Sequence, residues 1–219
     1  MATPLFEMQQ VHLSYTNGFT LDPVNLTLSR GTLCLISGPS GAGKTTLLKL
    51  MTAELNPLGG KRLFLARDIT RPDPAALSWF RRQIGIVRQE LSLLQDRSVL
   101  QNLLFRFSVL GIRLNQHREK PHQLLGRFRL QHRTHALPGE LSAGERRRAE
   151  LACAMVGSPQ IVFADEPLAN LDQANKQNIV ALLLELLDLG TTVVMATHDS
   201  WALELPATHK LLLKRGRLQ

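Results

Sequence analysis

One stretch of eight residues, GPSGAGKT at positions 38–45, constrains the fold of this chain more than any other feature. It matches the pattern G-x-x-x-x-G-K-[ST] of a phosphate-binding loop, in which glycines allow several backbone N–H groups to point at one anion. Lys44 is expected to neutralise the outer phosphates of a nucleotide, and Thr45 to offer its hydroxyl to Mg²⁺. The predicted phosphate-binding residues are Gly38, Pro39, Ser40, Gly41, Ala42, Gly43, Lys44, Thr45 and Thr46.

The sequence on both sides of the loop fits this use. Residues 32–37 are typical of a short buried strand, and residues 46–51 of a helix with one apolar face. A helix that begins directly after the loop points the positive end of its dipole at the phosphates. The alternative is a turn that joins a strand to a helix and binds nothing, and this strand-loop-helix order disfavours it.

The size and charge of the chain set broader limits. Its 219 residues, of which 44% are hydrophobic, suit one sizeable domain, and a net charge of +8 must face a nucleotide, a nucleic acid or an anionic lipid surface. Cys34 and Cys153 lie in apolar segments without metal-ligand spacing, so both are expected to be reduced packing residues. The start does not resemble a signal peptide, and no window reaches the ~18 apolar residues of a spanning helix. We therefore expect a cytosolic chain that reaches a membrane only through a partner or through surface charge.

A hairpin is predicted at the beginning of the chain. Residues 6–15 and 19–28 alternate like two antiparallel strands, and the turn at residues 16–18 contains an Asn-Gly pair that favours a tight hairpin. Tyr15 lies at the end of this hairpin, where its ring can either stack on an adenine or simply pack against its neighbours.

Polar residues follow three short apolar strands, predicted at residues 83–89, 160–166 and 191–196. The carboxyl ends of parallel strands meet at the edge of a sheet where ligands bind. Gln89 is a candidate for contact with Mg²⁺ or with an attacking water, and Asp165 for binding Mg²⁺. Glu166 is a candidate base that polarises this water, and His198 a candidate for bonding the γ-phosphate.

Helices are predicted between and after these strands. Apolar spacing from Val99 to about Arg133 predicts a semi-independent helical subdomain with a basic face, whose histidines lack the spacing of a metal site. Ser142 and Glu145 match the S-x-x-E capping box before a helix at residues 146–156, and such a helix start is also an anion site. Asp172 is expected to cap a Leu-rich helix that runs to Leu189, and residues 209–217 are expected to form a last strand.

Taken together, these segments resemble the ATP-binding subunits of ABC ATPases over the whole chain. The P-loop corresponds to Walker A, Gln89 to the Q-loop, LSAGE (141–145) to the signature, IVFADE (161–166) to Walker B, residues 170–172 to the D-loop and His198 to the switch histidine. The resemblance implies an α/β fold: a P-loop NTPase (ABC ATPase) core with a mainly parallel sheet, an antiparallel β edge and a helical subdomain at roughly 90–157 within one domain, 1–219.

The same resemblance implies a homodimer that closes head to tail on two ATP molecules with Mg²⁺. Ser142, Ala143, Gly144, Glu145 and Asp172 would then serve the nucleotide held by the partner's P-loop. Glu166 would be the catalytic base, with His198 and Gln89 as further catalytic residues, and Thr45, Gln89 and Asp165 would hold the metal.

Within ABC ATPases the chain is most similar to the FtsE-type cell-division ATPases, through residues 68–70, 80–85, 93–99 and 195–199. This implies an integral membrane partner of the FtsX type at the cytoplasmic face of the bacterial inner membrane, and a role in regulating cell-wall hydrolases. Three departures stand out. Arg88 and Glu90 replace Phe and Asp in the groove expected to face FtsX. Ala143 replaces a signature glycine, and Leu168-Ala169 replaces Thr-Gly; these two are expected to slow dimer closure or hydrolysis.

Other functions fit parts of the sequence. The chain can be the ATP-binding subunit of another ABC exporter, of the lipoprotein-release or haem-export type, and LSAGE resembles the latter. A DNA-structural ATPase is disfavoured because no sustained heptads separate Thr45 from Leu141, so no nucleic acid is expected as a partner. A scaffold that binds ATP without hydrolysis is disfavoured because Glu166 and His198 are both present.

Overall fold

Two β-sheets and six α-helices make up the part of the chain described by the computed structural model, which comprises residues 3–16, 18–90, 92–113 and 119–219. The strands are β1 (Phe6–Ser14), β2 (Thr20–Leu28), β3 (Leu33–Ser37), β4 (Gly59–Phe64), β5 (Arg67–Asp68), β6 (Ile84–Val87), β7 (Ile161–Asp165), β8 (Thr192–Thr197), β9 (His209–Lys214) and β10 (Arg217–Leu218). The helices are α1 (Lys44–Met51), α2 (Pro74–Gln83), α3 (Val99–Val109), α4 (Lys120–Arg127), α5 (Ala143–Ala154) and α6 (Gln173–Asp188). Short 3₁₀ helices occupy Gln131–Arg133, Pro138–Glu140 and Trp201–Glu204.

The larger sheet is the mainly parallel sheet that the sequence predicts. Its strand order is β10-β9-β3-β8-β7-β6, and every pairing except β9 with β10 is parallel. The central strands β7 and β8 are buried along their whole length, as expected for parallel strands that are covered on both faces. The carboxyl ends of β3, β6, β7 and β8 therefore meet at one edge, where the P-loop also begins.

The antiparallel strands form a four-stranded sheet of their own, in the order β2-β1-β4-β5. Its hairpin pairs Phe6 with Leu28 and Ser14 with Thr20, which confirms the two predicted strands to within a residue. The Asn17 of the predicted turn lies outside the described residues. The sheet extends beyond the hairpin because β4 pairs with the other side of β1, from Phe6↔Phe64 onward.

Several predicted boundaries were wrong. Helix α5 begins at Ala143, three residues before the predicted start, because the Ser142 cap acts at the first turn. The region from Val99 to Arg133, predicted to be helical, contains α3, α4 and a 3₁₀ turn, while His117 and Arg118 of the predicted basic face lie outside the described residues. The predicted last strand is two strands, because Arg215 and Gly216 adopt positive φ angles of 48° and 77° and reverse the chain.

The two cysteines pack as predicted. Cys34 and Cys153 are both free thiols, and burial raises the pKa of each to about 12. A thiol with so high a pKa carries almost no thiolate at neutral pH, so neither cysteine is a reactive group.

A buried arginine anchors the helix that follows the P-loop. Arg62 of β4 is fully buried, and its guanidinium donates to the carbonyl oxygens of Leu50, Leu55 (2.9 Å) and Thr70. Burial lowers the pKa of Arg62 to about 10, although the charge of Asp68 acts in the opposite direction. Leu50 belongs to the last turn of α1, and its carbonyl also accepts a hydrogen bond from the Ala53 N–H at 3.3 Å, so Arg62 adds a second donor at the end of this helix. Sequence reasoning missed this role, because a lone arginine in a strand normally indicates an exposed position.

Candidate active site

The P-loop connects the buried strand β3 to helix α1, as the sequence predicts. Gly43 has a φ angle of 104°, and a Cβ atom at this position would lie 2.4 Å from the ring carbon Cζ of Phe19. Both the backbone conformation and the close approach of the ring therefore require glycine. Helix α1 begins at the next residue, Lys44, so its positive end opens into the loop.

Lys44 is held by the loop and by the end of a neighbouring strand. Its Nζ atom donates to the carbonyl oxygens of Gly38 (2.8 Å) and Pro39 (3.3 Å), and lies 3.3 Å from Oε1 of Glu166. The residue is 7% exposed. This buried cation is satisfied by two carbonyl groups and one carboxylate, all of which a phosphate group can replace.

Glu166 joins Lys44 to the predicted switch histidine. Its Oε1 atom lies 2.9 Å from Nδ1 of His198, and its Oε2 atom accepts a hydrogen bond from the His198 backbone N–H at 3.3 Å. Glu166 has a φ angle of 48°, which is rare for a residue with a side chain and often marks a functional site. The backbone thus turns immediately after β7 and brings Glu166 between the cation and the histidine, where a carboxylate can accept a proton from water.

Asp165, the last residue of β7, presents an unsatisfied oxygen near the P-loop. The residue is buried, and its Oδ1 atom finds no hydrogen-bond partner within the described part of the chain. Burial raises the pKa of Asp165, as does the charge of Glu166, while a hydrogen bond with the Thr45 side chain lowers it.

The Asp165 carboxylate and the Thr45 hydroxyl are oxygen donors of the kind that a hard cation prefers. Mg²⁺ prefers oxygen ligands and is usually bound by one or two protein groups together with substrate phosphates and water. The described ranges contain no group of three or more His, Cys, Asp or Glu side chains that could hold a metal unaided. The Asp165 carboxylate and the Thr45 hydroxyl are therefore a partial ligand set, which fits an ion that arrives with a nucleotide.

A cleft of about 760 Å³ lies above the P-loop. It brings together most of the predicted site residues: its lining consists of Tyr15, Phe19, Pro39, Ser40, Gly41, Ala42, Gly43, Lys44, Thr45, Thr46, Gln89, Glu166 and His198. Gln89 also lines an adjoining cavity of about 230 Å³ together with Thr45 and Asp165, which places it beside the predicted metal position.

Two aromatic rings form one end of this cleft. Tyr15 is 37% exposed, and the centroids of the Tyr15 and Phe19 rings are 6.1 Å apart. A pair of rings at the mouth of a phosphate-binding cleft suits stacking on a base. Sequence reasoning missed Phe19; the signal that could have found it is a second aromatic residue directly across the hairpin turn from Tyr15.

The signature residues are not part of this cleft. Ser142, Ala143, Gly144, Glu145 and Asp172 are absent from the lining of the cleft, and Ser142, Ala143 and Asp172 are exposed. The Ser142 hydroxyl accepts a hydrogen bond from the Glu145 N–H at 3.2 Å, and the Glu145 carboxylate accepts one from the Ser142 N–H at 2.8 Å, which confirms the predicted capping box. The structure thus separates the site residues into a complete phosphate cleft and a second, outward-facing helix start.

Hydrogen bonds also fix the side chains of Glu145 and Asp172 outside the cleft. Burial opposes ionisation of Glu145, but hydrogen bonds from Ser142, Arg133 and His132 lower its pKa to about 2. The Asp172 carboxylate caps α6 by accepting bonds from the backbone and side-chain nitrogens of Asn175, both at 2.8 Å. The Asn175 amide packs so closely on Gly144 that a Cβ atom there would lie 2.1 Å from its oxygen. Asn175 therefore connects the D-loop to the signature of the same chain, because it bonds Asp172 and packs on Gly144.

Similarity to known proteins identifies the family of this chain. The family described as "ABC transporter" matches residues 21–169, which include the P-loop, the signature and the end of β7. The chain belongs to this family. It is an ATPase of the ABC type, and both the predicted resemblance and the predicted fold class are confirmed.

Relatives of this ABC ATPase include single-domain and fused proteins. It is 36% identical to the cell division ATP-binding protein FtsE of Haemophilus influenzae over 199 residues, which cover 91% of each chain. It is 34% identical to the macrolide export ATP-binding/permease protein MacB of Hyphomonas neptunium, covering 91% of this chain and 32% of that protein. Among solved structures it is similar to the dimeric ATP-binding cassette MJ0796 bound to ADP and Pi, with a TM-score of 0.87, 26% identity and coverage of 98% and 96%.

None of the helices in the described ranges is both long and apolar enough to cross a membrane.

Proposed function

We propose that this chain is the ATP-hydrolysing subunit of an FtsEX-type complex, which acts in cell division by regulating cell-wall hydrolysis. In this proposal residues 1–219 form a single ATP-binding domain, with the helical subdomain at roughly 90–157, and work at the cytoplasmic face of a bacterial inner membrane as a peripheral protein. The observation that carries the hydrolytic part is the contact of the buried Lys44 and Glu166 with each other, and of Glu166 with the exposed His198. The similarity to FtsE over nearly the whole chain supports the cell-division part.

The residues of the cleft have separable tasks in hydrolysis. The P-loop N–H groups and Lys44 would bind the phosphates, and Tyr15 the adenine. Mg²⁺ held by Thr45 and Asp165 would polarise the phosphates and offset the charge that develops on them. Glu166 would accept a proton from the attacking water, His198 would bond the γ-phosphate, and Gln89 would orient the water or contact the metal.

A homodimer that closes on ATP would complete the site. Ser142 and Gly144 are absent from the lining of their own cleft, and Ser142 is exposed, so they would serve the nucleotide bound by a second copy of the chain. The relative MJ0796 forms a dimer with ADP and Pi, which supports this arrangement. The N-terminus of α5 would then supply N–H groups and a positive dipole end to the partner's γ-phosphate.

A separate groove is suited to a membrane partner of the FtsX type. It measures about 730 Å³, and Glu54, Arg81, Arg82, Arg88 and Arg106 contribute charged groups to its wall. Arg88, one of the departures from the FtsE pattern, forms an ion pair with Glu54 at 2.7 Å in this wall. The excess of arginines would favour an acidic cytoplasmic segment in the partner.

The variant Glu166→Gln tests the hydrolytic mechanism. We expect it to abolish ATP turnover and to trap an ATP-bound dimer, because the amide keeps the size of the side chain but cannot accept a proton. Turnover would be measured by phosphate release, and dimerisation by size-exclusion chromatography with ATP and Mg²⁺. Unchanged turnover would refute the assignment of Glu166 as the base.

The second candidate is a subunit of another ABC exporter, of the lipoprotein-release or haem-export type. The similarity to MacB, which the chain matches over 91% of its own length, favours it. Purification of the Glu166→Gln chain from native membranes distinguishes the two, because the ATP-bound form is expected to retain its membrane partner. Recovery of an exporter permease without an FtsX-type protein would reject the cell-division role while leaving the ATPase mechanism intact.

A further inference from the structure

A buried ion pair lies on α5, within about one and a half turns of the end of the signature. Nη1 of Arg147 is 2.9 Å from Oε2 of Glu150, and both side chains are at least 94% buried. Buried ion pairs of this kind contribute little net stability, because the cost of removing both charges from water offsets their attraction. The pair is also outside the cleft, so neither residue can touch the nucleotide of its own chain there.

Both members of the pair bind the backbone of the Q-loop. Nη1 of Arg147 donates to the carbonyl oxygen of Arg88 at 2.7 Å, and Oε1 of Glu150 accepts a hydrogen bond from the Ser92 N–H at 2.7 Å. These two backbone groups lie on opposite sides of Gln89 in the sequence. The pair therefore holds the two ends of the short segment that carries Gln89.

The same segment is fixed from the P-loop side. The Arg88 side chain donates to Oε2 of Glu54, which follows helix α1, at 2.7 Å. Arg88 is thus bound through its side chain to the end of the P-loop helix region and through its carbonyl group to α5. The residue directly before Gln89 connects the phosphate-binding core to the helix that begins with the signature.

We propose that Arg147 and Glu150 are positioning residues for Gln89: they clamp the Q-loop to α5 and keep the Gln89 side chain at the metal and water position. The inference rests on the role of Gln89 in the proposed function. Because α5 begins at the Ser142 cap, any movement of the signature end of this helix is passed to Gln89 of the same chain through two hydrogen bonds. Displacement of a catalytic group by about 1 Å can cost on the order of a hundredfold in rate.

The double variant Arg147→Met/Glu150→Leu removes both hydrogen bonds together with both charges. Replacement of a whole buried ion pair by apolar residues of similar volume is often neutral for stability, so the fold is expected to persist. We expect kcat to fall about 10- to 100-fold while the affinity for ATP stays within about threefold. Hydrogen exchange of the nucleotide-free protein should show faster exchange of the Ser92 amide, a readout that does not depend on turnover.

Two variants act as controls. Arg147→Lys keeps a donor for the Arg88 carbonyl and a charge for Glu150, so its kcat should stay within about threefold of the parent. Gln160→Leu removes a hydrogen bond to Gln83 at the opposite end of the sheet, and its kcat should also stay within about threefold of the parent. If the double variant does not fold, Ser92→Pro tests the same contact. Ser92 is exposed, and proline lacks the N–H that Glu150 binds, so this variant should lower kcat in the same way.

The outcomes separate this inference from the proposed function. A folded double variant that retains the parental kcat, or that leaves the Ser92 amide as protected as before, would overturn the clamp. Gln89→Ala is measured in parallel and should lower kcat at least as much as the double variant. Unchanged turnover in Gln89→Ala would refute the role of Gln89 itself, and exchange at Ser92 would then decide the clamp alone.

Discussion

Replacement of Arg62 by methionine should destabilise the protein strongly, although Arg62 lies in no motif. Methionine has a similar length and apolar character along the stem, but it offers no hydrogen-bond donor. The substitution leaves the carbonyl oxygens of Leu50, Leu55 and Thr70 without the guanidinium that now binds them. The bonds to Leu50 and Leu55 connect β4 to the region where α1 ends, and the bond to Thr70 connects it to the segment after β5. The loss therefore acts on the support of the P-loop helix.

Two opposing terms determine the magnitude. A buried carbonyl that loses its only partner costs about 2 kcal/mol, so the carbonyls of Leu55 and Thr70 together cost about 4 kcal/mol. The Leu50 carbonyl keeps the hydrogen bond from the Ala53 N–H and loses a bond worth about 1 kcal/mol. Burial also lowers the pKa of Arg62 to about 10, and keeping this cation charged in the folded state costs about 3 kcal/mol at neutral pH, which methionine avoids. The difference predicts a loss of about 2 kcal/mol in the free energy of unfolding, and a decrease of about 4–8 °C in Tm for a chain of this size.

Urea denaturation, followed by circular dichroism at neutral pH, measures this loss. Lys61→Met is the matched control, because Lys61 is the adjacent residue of β4, is exposed, and should change the free energy of unfolding by less than about 0.5 kcal/mol. A loss below about 1 kcal/mol in Arg62→Met, with the control unchanged, would mean that the carbonyls find other partners and would refute the reasoning.

The remaining predictions concern the site. Tyr15→Ala should weaken ATP binding about five- to tenfold in a fluorescence titration, whereas Tyr15→Phe should not, because the ring supplies the stacking; equal losses in both would contradict stacking. Asp165→Asn should raise the Mg²⁺ concentration for half-maximal turnover at least tenfold, since it removes the charged ligand. Gly144→Ala should lower the free energy of unfolding by about 1–3 kcal/mol through its clash with Asn175, and Asn175→Ala should restore most of this in the double variant. The pKa of Glu145 is lowered to about 2, so the ionised carboxylate contributes about 1 kcal/mol to the free energy of unfolding. This contribution is complete above about pH 4.5 and disappears as the pH falls toward 2. Chemical denaturation of the parent and of Glu145→Gln across this range should show that the difference between their free energies of unfolding vanishes at low pH.

Motifs with fixed local geometry could be predicted from the sequence. The P-loop, the capping box at Ser142 and the Asp172 cap each depend on residues within a few positions of one another, and the structure confirms all three elements. The meeting of Gln89, Glu166 and His198 at one cleft also followed from the sequence, because the carboxyl ends of parallel strands share an edge.

Contacts between distant segments could not be predicted in this way. The approach of Asn175 to Gly144 and the binding of Arg147 to the Arg88 carbonyl depend on how helices pack on the sheet, which no local pattern encodes. The division of the region from Val99 to Arg133 into shorter helices has the same origin, since apolar spacing at 3.6 residues continues across a break.

The cation and the carboxylate of the cleft, Lys44 and Glu166, form an ion pair with each other. Lys44 is bonded to Glu166 and to two carbonyls of its own loop, so neither charged group waits in the cleft without a partner. A ligand that is to displace these bonds must bring several oxygen atoms and negative charge of its own, which a neutral nucleoside does not have. In the proposed mechanism, a phosphate that binds Lys44 would therefore release Glu166 to accept a proton from water, so that one exchange of bonds would couple nucleotide binding to the availability of the base.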